Sequence, residues 1–248
     1  MAVVARPFPP SQPHGEIREE LPGLFFVTGS IGMPGPLPVR FSRNMTIVRE
    51  GERLVLVNAV RLDEGALSAL DRLGKVTDVI RLAANHGSDD PFYAERYKAK
   101  VWALEGQRYT PGFNTKAADT YFTPHVEATT TTNLPIAGAR LHVIQSEPPE
   151  GLLVLPQHGG TIVSGDCLQN WASTDSYFNW LGSAMMRMMG FIRAHNIGPG
   201  WLRQCRPPKE ELRAILGLSF ANVFPAHGAP VIGRALELYR PVIERTAA

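Results

Sequence analysis

The chain has 248 residues, 25 Lys+Arg against 23 Asp+Glu, and 44% apolar residues. The near-neutral charge argues against nucleic acid as the main partner, because phosphate binding needs clustered cations, and the apolar share excludes disorder over the whole length. No window approaches the roughly 18–20 consecutive apolar residues that span a bilayer, and residues 1–15 lack a basic segment followed by an apolar one. The expectation is a cytoplasmic protein with neither nucleic acid nor membrane as partner. Two cysteines, Cys167 and Cys205, are too few for a disulfide framework. The 23 Gly and 21 Pro point to many turns.

In chain order, residues 1–22 are proline-rich and read as an extended arm, and 23–248 as one domain. Strands are expected at 24–28, 45–50 and 53–60. Gly51-Glu52 between the last two favours a type II′ hairpin, so the chain opens as an antiparallel meander. Residues 63–74 (DEGALSALDRLG) carry Leu67, Leu70 and Leu73 behind an acidic first turn and end on Gly, which predicts a helix with legible ends. A strand at 76–82, a helix at 91–98 and a strand at 99–104 follow. The second half predicts strands at 139–145, 151–155 and 161–164, and a Met-rich helix at 173–195. A Gly/Pro break at 197–200 comes next, then a helix running to Gly217, a strand at 222–224 and a terminal helix at 232–244. Two runs of strands, each closed by helices, suggest two sheets packed face to face with helices outside.

Candidate functional residues cluster where predicted strands end. Leu82 leads into Asn85-His-Gly-Ser-Asp-Asp90, Gln145 into Ser146-Glu147, Ser164 into Gly165-Asp166, and Phe224 into Pro225-Ala-His227-Gly228. These are the residue types that bind a divalent cation through oxygen and imidazole. Asp89-Asp90-Pro91 also fits an Asp N-cap with Pro opening a helix. The methionines at 185, 186, 188 and 189 fit irregular packing or the wall of an apolar pocket.

In order and spacing these elements resemble the metallo-β-lactamase superfamily. The resemblance implies an α/β fold, a four-layer αββα sandwich with metal ligands on loops at one edge of the sheets. Its histidine-rich first motif falls on Asn85 to Asp90, its next histidine on Glu147, its bridging aspartate on Asp166 and its last histidine on His227. Asn85, Gly87, Asp90 and Glu147 stand where that family has histidines, so a two-zinc site with three histidines on one metal cannot be built.

What the resemblance implies instead is one divalent ion, zinc, manganese or iron, held by Asp89, Asp90, Asp166 and His227, with His86 and Glu147 as further candidate ligands, or no metal at all. The implied activity is metal-dependent hydrolysis of an ester, lactone, thioester or amide bond in a small molecule with an apolar body, with Asp89 or Glu147 taking the proton. The competing expectation is a metal-free, inactive member serving as a small-molecule or protein binding module. An iron-dependent oxidoreductase is a third.

Overall fold

The computed structural model describes residues 8, 10–33, 36–107 and 123–248. The expected arm at 1–22 lies partly outside these residues. Its last part is strand β1 (Arg18–Leu21), paired antiparallel with β2 (Leu24–Gly32). β2 pairs with β3 (Arg40–Glu50) from Leu24↔Val48 to Gly32↔Arg40. β3 pairs with β4 (Arg53–Val57) across the two-residue turn, closed by Glu50↔Arg53 with Gly51 at φ +64°. That positive φ at the first central position is what a type II′ turn requires and what glycine supplies. Both strands extend further into the 29–44 region than expected, because Ser42, Arg43 and Asn44 are polar yet buried. The apolar alternation used to find strands stops there, while the backbone pairing continues.

The chain then crosses over. Helix α1 (Glu64–Leu73) starts at Asp63, whose Oδ1 accepts from the Ala66 N–H at 2.8 Å, and buries Leu67 and Leu70. It leads to β5 (Lys75–Arg81), and helix α2 (Asp90–Tyr97) leads to β6 (Lys100–Leu104). β4, β5, β6 and the short β7 (Val126–Ala128) run parallel and complete a sheet in the order β1-β2-β3-β4-β5-β6-β7.

The second sheet has the order β13-β10-β9-β8, from β8 (Arg140–Ile144), β9 (Glu150–Leu155), β10 (Thr161–Ser164) and β13 (Asn222–Pro225). β10 and β13 are parallel, with Ser164 opposite Pro225. A two-stranded ribbon, β11 (Leu168–Gln169) with β12 (Asn196–Ile197), stands beside them.

Layering follows from the period-2 alternation of strand side chains. Leu24, Phe26, Val48, Val55 and Ile80 point inward and meet Leu153, Leu155, Val163 and Phe224 of the second sheet in one core. Phe26 meets Phe224 edge to face, ring centroids 5.9 Å apart. Their sequence neighbours Phe25, Val27, Ile47, Leu54 and Val79 face out and pack under α1 and α2. Leu152, Val154 and Ile162 face the opposite way and pack under the later helices. Those helices are α4 (Pro199–Cys205), α5 (Lys209–Ala214), continued by a 3₁₀ turn at Ile215–Gly217, and α6 (Ala235–Ala247). The result is helix, sheet, sheet, helix.

Two expectations in the second half need correction. The helix expected over 173–195 is only α3 (Trp180–Met188), capped by the Asn179 side chain on the Gly182 N–H at 2.8 Å. Pro199-Gly200, taken as part of a break, opens α4: the proline sits in the first turn, where its missing N–H is harmless.

Candidate metal centre

The site is built at one edge of the sandwich, where strands of both sheets end. Two buried asparagines tie the sheets there. Asn58, just after β4, accepts from the Leu82 N–H at 3.1 Å and donates to the Ser164 carbonyl at 3.0 Å. Asn44 donates through Nδ2 to the carbonyls of Pro225 at 3.0 Å and Gly228 at 2.7 Å. The loops after β5, β10 and β13 are therefore fixed relative to one another, and they carry His86, Asp166 and His227.

These three buried side chains converge, and one ligand atom from each lies within 4.8 Å of the others. Asp166 Oδ1 is 3.0 Å from His227 Nε2 and 3.4 Å from His86 Nε2. Ligands about 2.0–2.2 Å from a zinc-sized ion at tetrahedral corners lie roughly 3.3–3.6 Å apart, so the spacing fits one small divalent cation. The donor chemistry fits as well. His227 Nδ1 is 3.1 Å from the Ser42 carbonyl, which can only accept, so Nδ1 carries the proton. Nε2 then faces a carboxylate oxygen with either a proton or a cation between them, and a backbone carbonyl that sets the tautomer is what a metal-bound imidazole ordinarily has behind it.

Charge agrees with that geometry. Burial lowers the pKa of His86, and Asp166 only partly offsets it, which favours the neutral, ligating imidazole. Burial alone would raise Asp166, but the charges and hydrogen bonds of His86 and His227 overcome it and hold the carboxyl well below the usual carboxylate range. Behind Asp166 lies a carboxyl that sequence reasoning missed. Glu150, 2% exposed, heads β9 and accepts from the Cys167 N–H at 2.8 Å. Burial and then the neighbouring Asp166 charge push it well above the ordinary value. The available signal was an acidic residue at the head of an otherwise apolar strand, EGLLVL.

The remaining candidates are placed elsewhere. Asp89 occupies the N-cap position of α2 but makes no capping bond there. Its Oδ2 instead accepts from the Arg43 guanidinium and from the Arg61 N–H at 2.7 Å, which consumes its charge. Asp90 faces Arg81 at 3.9 Å, and burial pushes its carboxyl up to about 6. Glu147 is exposed and lines a separate surface depression with Gln145, Arg206 and Pro208. The structure thus brings together His86, Asp166 and His227, and leaves Asp89, Asp90 and Glu147 outside the cluster.

The cluster opens into a cavity of about 220 Å³ whose walls include Met185 and Met186 of α3 and Met189 just after it, with Phe41, Trp171 and Trp201. Asn85 closes one side, donating to Asp166 Oδ2 at 3.3 Å. Four buried polar atoms on lining residues have no partner among the described residues: Arg43 Nε, Asn85 Oδ1, Gln169 Oε1 and Trp201 Nε1. The titratable residues of the lining are Arg43, His86, Asp166 and His227, so among the described residues no spare carboxylate faces the cavity.

No protein-family model matches the chain, and no curated protein matches it in sequence. Solved structures do. The mono-zinc form of the metallo-β-lactamase FIM-1 from Pseudomonas aeruginosa superposes with a TM-score of 0.61 at 13% identity, over 96% of this chain and 98% of that one. A metallo-β-lactamase from Hirschia baltica gives 0.57 at 16% identity, over 95% and 97%. One from Pontibacter korlensis gives 0.59 at 14%, over 92% and 98%. With the four layers and the position of the site at one sheet edge, these whole-length superpositions give the chain the metallo-β-lactamase fold.

Proposed function

We propose that the chain is a metal-dependent hydrolase of small molecules with an apolar body, using one divalent ion, zinc, manganese or iron, held by His86, Asp166 and His227. The observation that supports this most is the convergence of those three ligand atoms on an apolar cavity. The mono-zinc form of FIM-1 is a one-ion precedent on this fold. A bound ion would supply Lewis acidity toward the scissile carbonyl and acidify a water molecule.

The chain's own residues orient and exclude. Ser42 holds His227 in the ligating tautomer, and Asn85 holds the outer oxygen of Asp166. Met185, Met186 and Met189 accept the apolar body and keep water out. Asn85 Oδ1, Gln169 Oε1 and Trp201 Nε1 pair with polar atoms of the substrate. With no spare carboxylate on the cavity wall among the described residues, slow turnover is expected.

A second reading, a metal-free binding module on the same scaffold, is favoured by the Arg43–Asp89 pair, in which a fixed guanidinium already neutralises the acidic residue of the first motif. Elemental analysis after growth with zinc, manganese and iron separates the two. The hydrolase reading expects about one ion per chain, reduced to near zero in His227→Ala and Asp166→Ala, with weak hydrolysis in a panel of esters, lactones, thioesters and amides. A metal-free wild type, with neither variant altering stability or ligand binding, would leave the binding module.

A further inference from the structure

The outer face of α3 has no part in that reading. Trp180 at the start of α3 is 79% exposed, and Met188 at its end is 83% exposed. With Ala184 between them they stand at i, i+4 and i+8, so they form one stripe along the solvent face of the helix. Leu37, 60% exposed, lies beside the same helix end, because the adjacent Pro38 carbonyl accepts from Asn179, the residue that caps α3. Large apolar side chains turned to water along a single line mark a surface that something covers.

The charge around the stripe says what. From Ser176 to Lys209 the chain has Arg187, Arg193, Arg203, Arg206 and Lys209 and no Asp or Glu, in a protein whose net charge is only +2. None of the four arginines makes an ion pair among the described residues. Arg187 bonds the Thr174 hydroxyl, and Arg203 bonds the carbonyls of Pro199 and Met189. A second copy of the chain is a poor cover, since an isologous contact would set these arginines against themselves. An anionic surface with an apolar interior suits both features. Trp and Met insert at the headgroup boundary, and arginines meet the headgroups.

We infer that the face of α3, with Arg187, Arg193 and Arg203, is a peripheral docking surface for a bilayer containing anionic lipid. It lies on the surface and does not span, since among the described residues no helix is long and apolar enough to cross a membrane. The stripe borders residues of the cavity wall. Met185 and Met189 follow Ala184 and Met188 by one position around the helix and line the cavity wall. An apolar molecule leaving the lipid at Met188 would meet Met189 next.

The test uses the full chain and sedimented vesicles, and it does not depend on metal binding or hydrolysis. The chain binds phosphatidylcholine vesicles containing phosphatidylglycerol and not pure phosphatidylcholine, and added salt releases it. Trp102, Trp171 and Trp201 are buried, so a blue shift of tryptophan emission on binding reports Trp180. Trp180→Ala with Met188→Ala abolishes the shift and weakens binding, and Arg187→Gln and Arg193→Gln each lower the partition coefficient about fivefold. These positions are exposed, so the variants fold, which an unchanged circular dichroism spectrum checks. Absence of binding to either vesicle at low salt overturns the inference. So does binding that these variants leave unchanged, or a dimer that the Trp180 and Met188 changes dissociate.

Discussion

Arg43→Met offers the sharpest test of the electrostatics beside the site. Arg43 and Asp89 are each 5% exposed and joined through Nη2 and Oδ2. Removing the guanidinium while keeping an apolar stem leaves a carboxylate out of water, and breaking a buried pair from one side costs about 3–5 kcal/mol. Here the Arg61 N–H still reaches the same Oδ2 at 2.7 Å, which puts the loss near the lower end, about 3 kcal/mol. At roughly 2–4 °C per kcal/mol for a chain of this size, the melting temperature falls by about 6–12 °C.

Arg43→Met combined with Asp89→Asn exchanges the charges for a neutral pair of similar volume whose carboxamide oxygen can still accept from Arg61. Its cost should be within about 1 kcal/mol of wild type, so the double-mutant cycle returns a coupling of about 2 kcal/mol or more. Urea unfolding followed by circular dichroism measures all four corners, and elemental analysis of Asp89→Asn shows metal content as in the wild type. The reasoning fails if Arg43→Met unfolds within about 0.5 kcal/mol of wild type. It fails equally if Asp89→Asn loses its metal, since Asp89 would then be a ligand.

Gly228 has φ +90°, and a Cβ there would stand 2.0 Å from the Asn170 backbone and 2.4 Å from the Trp171 nitrogen. Because those neighbours are backbone, Gly228→Ala should cost more than about 2 kcal/mol and, by shifting His227, weaken metal binding about tenfold or more, which calorimetric titration reads. In the metal-free chain, His86 has its pKa below the unfolded value, so the unfolded state binds the extra proton. That contribution to stability is present above about pH 6.5 and lost as pH falls through the folded pKa. Asp166, also depressed, adds a loss of the same sign below the ordinary carboxylate range. Asp90, raised to about 6, and the raised Glu150 act with the opposite sign in the same window, so the signature of His86 is a difference: between pH 7 and 5 the denaturant midpoint should fall further, or rise less, in the wild type than in His86→Gln, and an equal slope in both would remove His86 as the cause. Burial pushes both thiols up, Cys205 to about 12, so neither should react with a disulfide reagent at pH 8 in native conditions, and both should react in guanidinium.

The sandwich was legible because its core strands are apolar with a period of two, or apolar throughout, and α1 carries a cap and a stop at either end. The polar half of β3 was not, since Ser42, Arg43 and Asn44 are buried for what they bond: the Ser42 hydroxyl accepts from Trp171 Nε1, Asn44 holds the His227 loop, and Arg43 holds Asp89. The same opacity affected the ligands. Asp166 and His227 stand two residues past paired strand ends, where counting works. His86 stands in a turn closed by its own N–H on the Ala83 carbonyl and followed by Gly87 at φ +99°. Spacing along an extended motif therefore placed the ligand positions on its neighbours Asn85 and Gly87. Nor does sequence spacing reveal that Asp89, a plausible ligand by type and place, meets an arginine 46 positions away.

The three candidate ligand atoms come from the two different sheets of the sandwich. His86 follows a strand of the first sheet and lies 80 positions from Asp166, whereas Asp166 and His227 follow adjacent strands of the second sheet and lie 61 apart. No short piece of the chain can assemble them, and either sheet alone presents only part of the set. An ion bound there would act as a rivet between the two halves, its occupancy coupled to global unfolding rather than to local fraying. Metal uptake would then read out whether the two halves have closed on one another, and amide exchange in β5 and β10 should slow together when the ion is added.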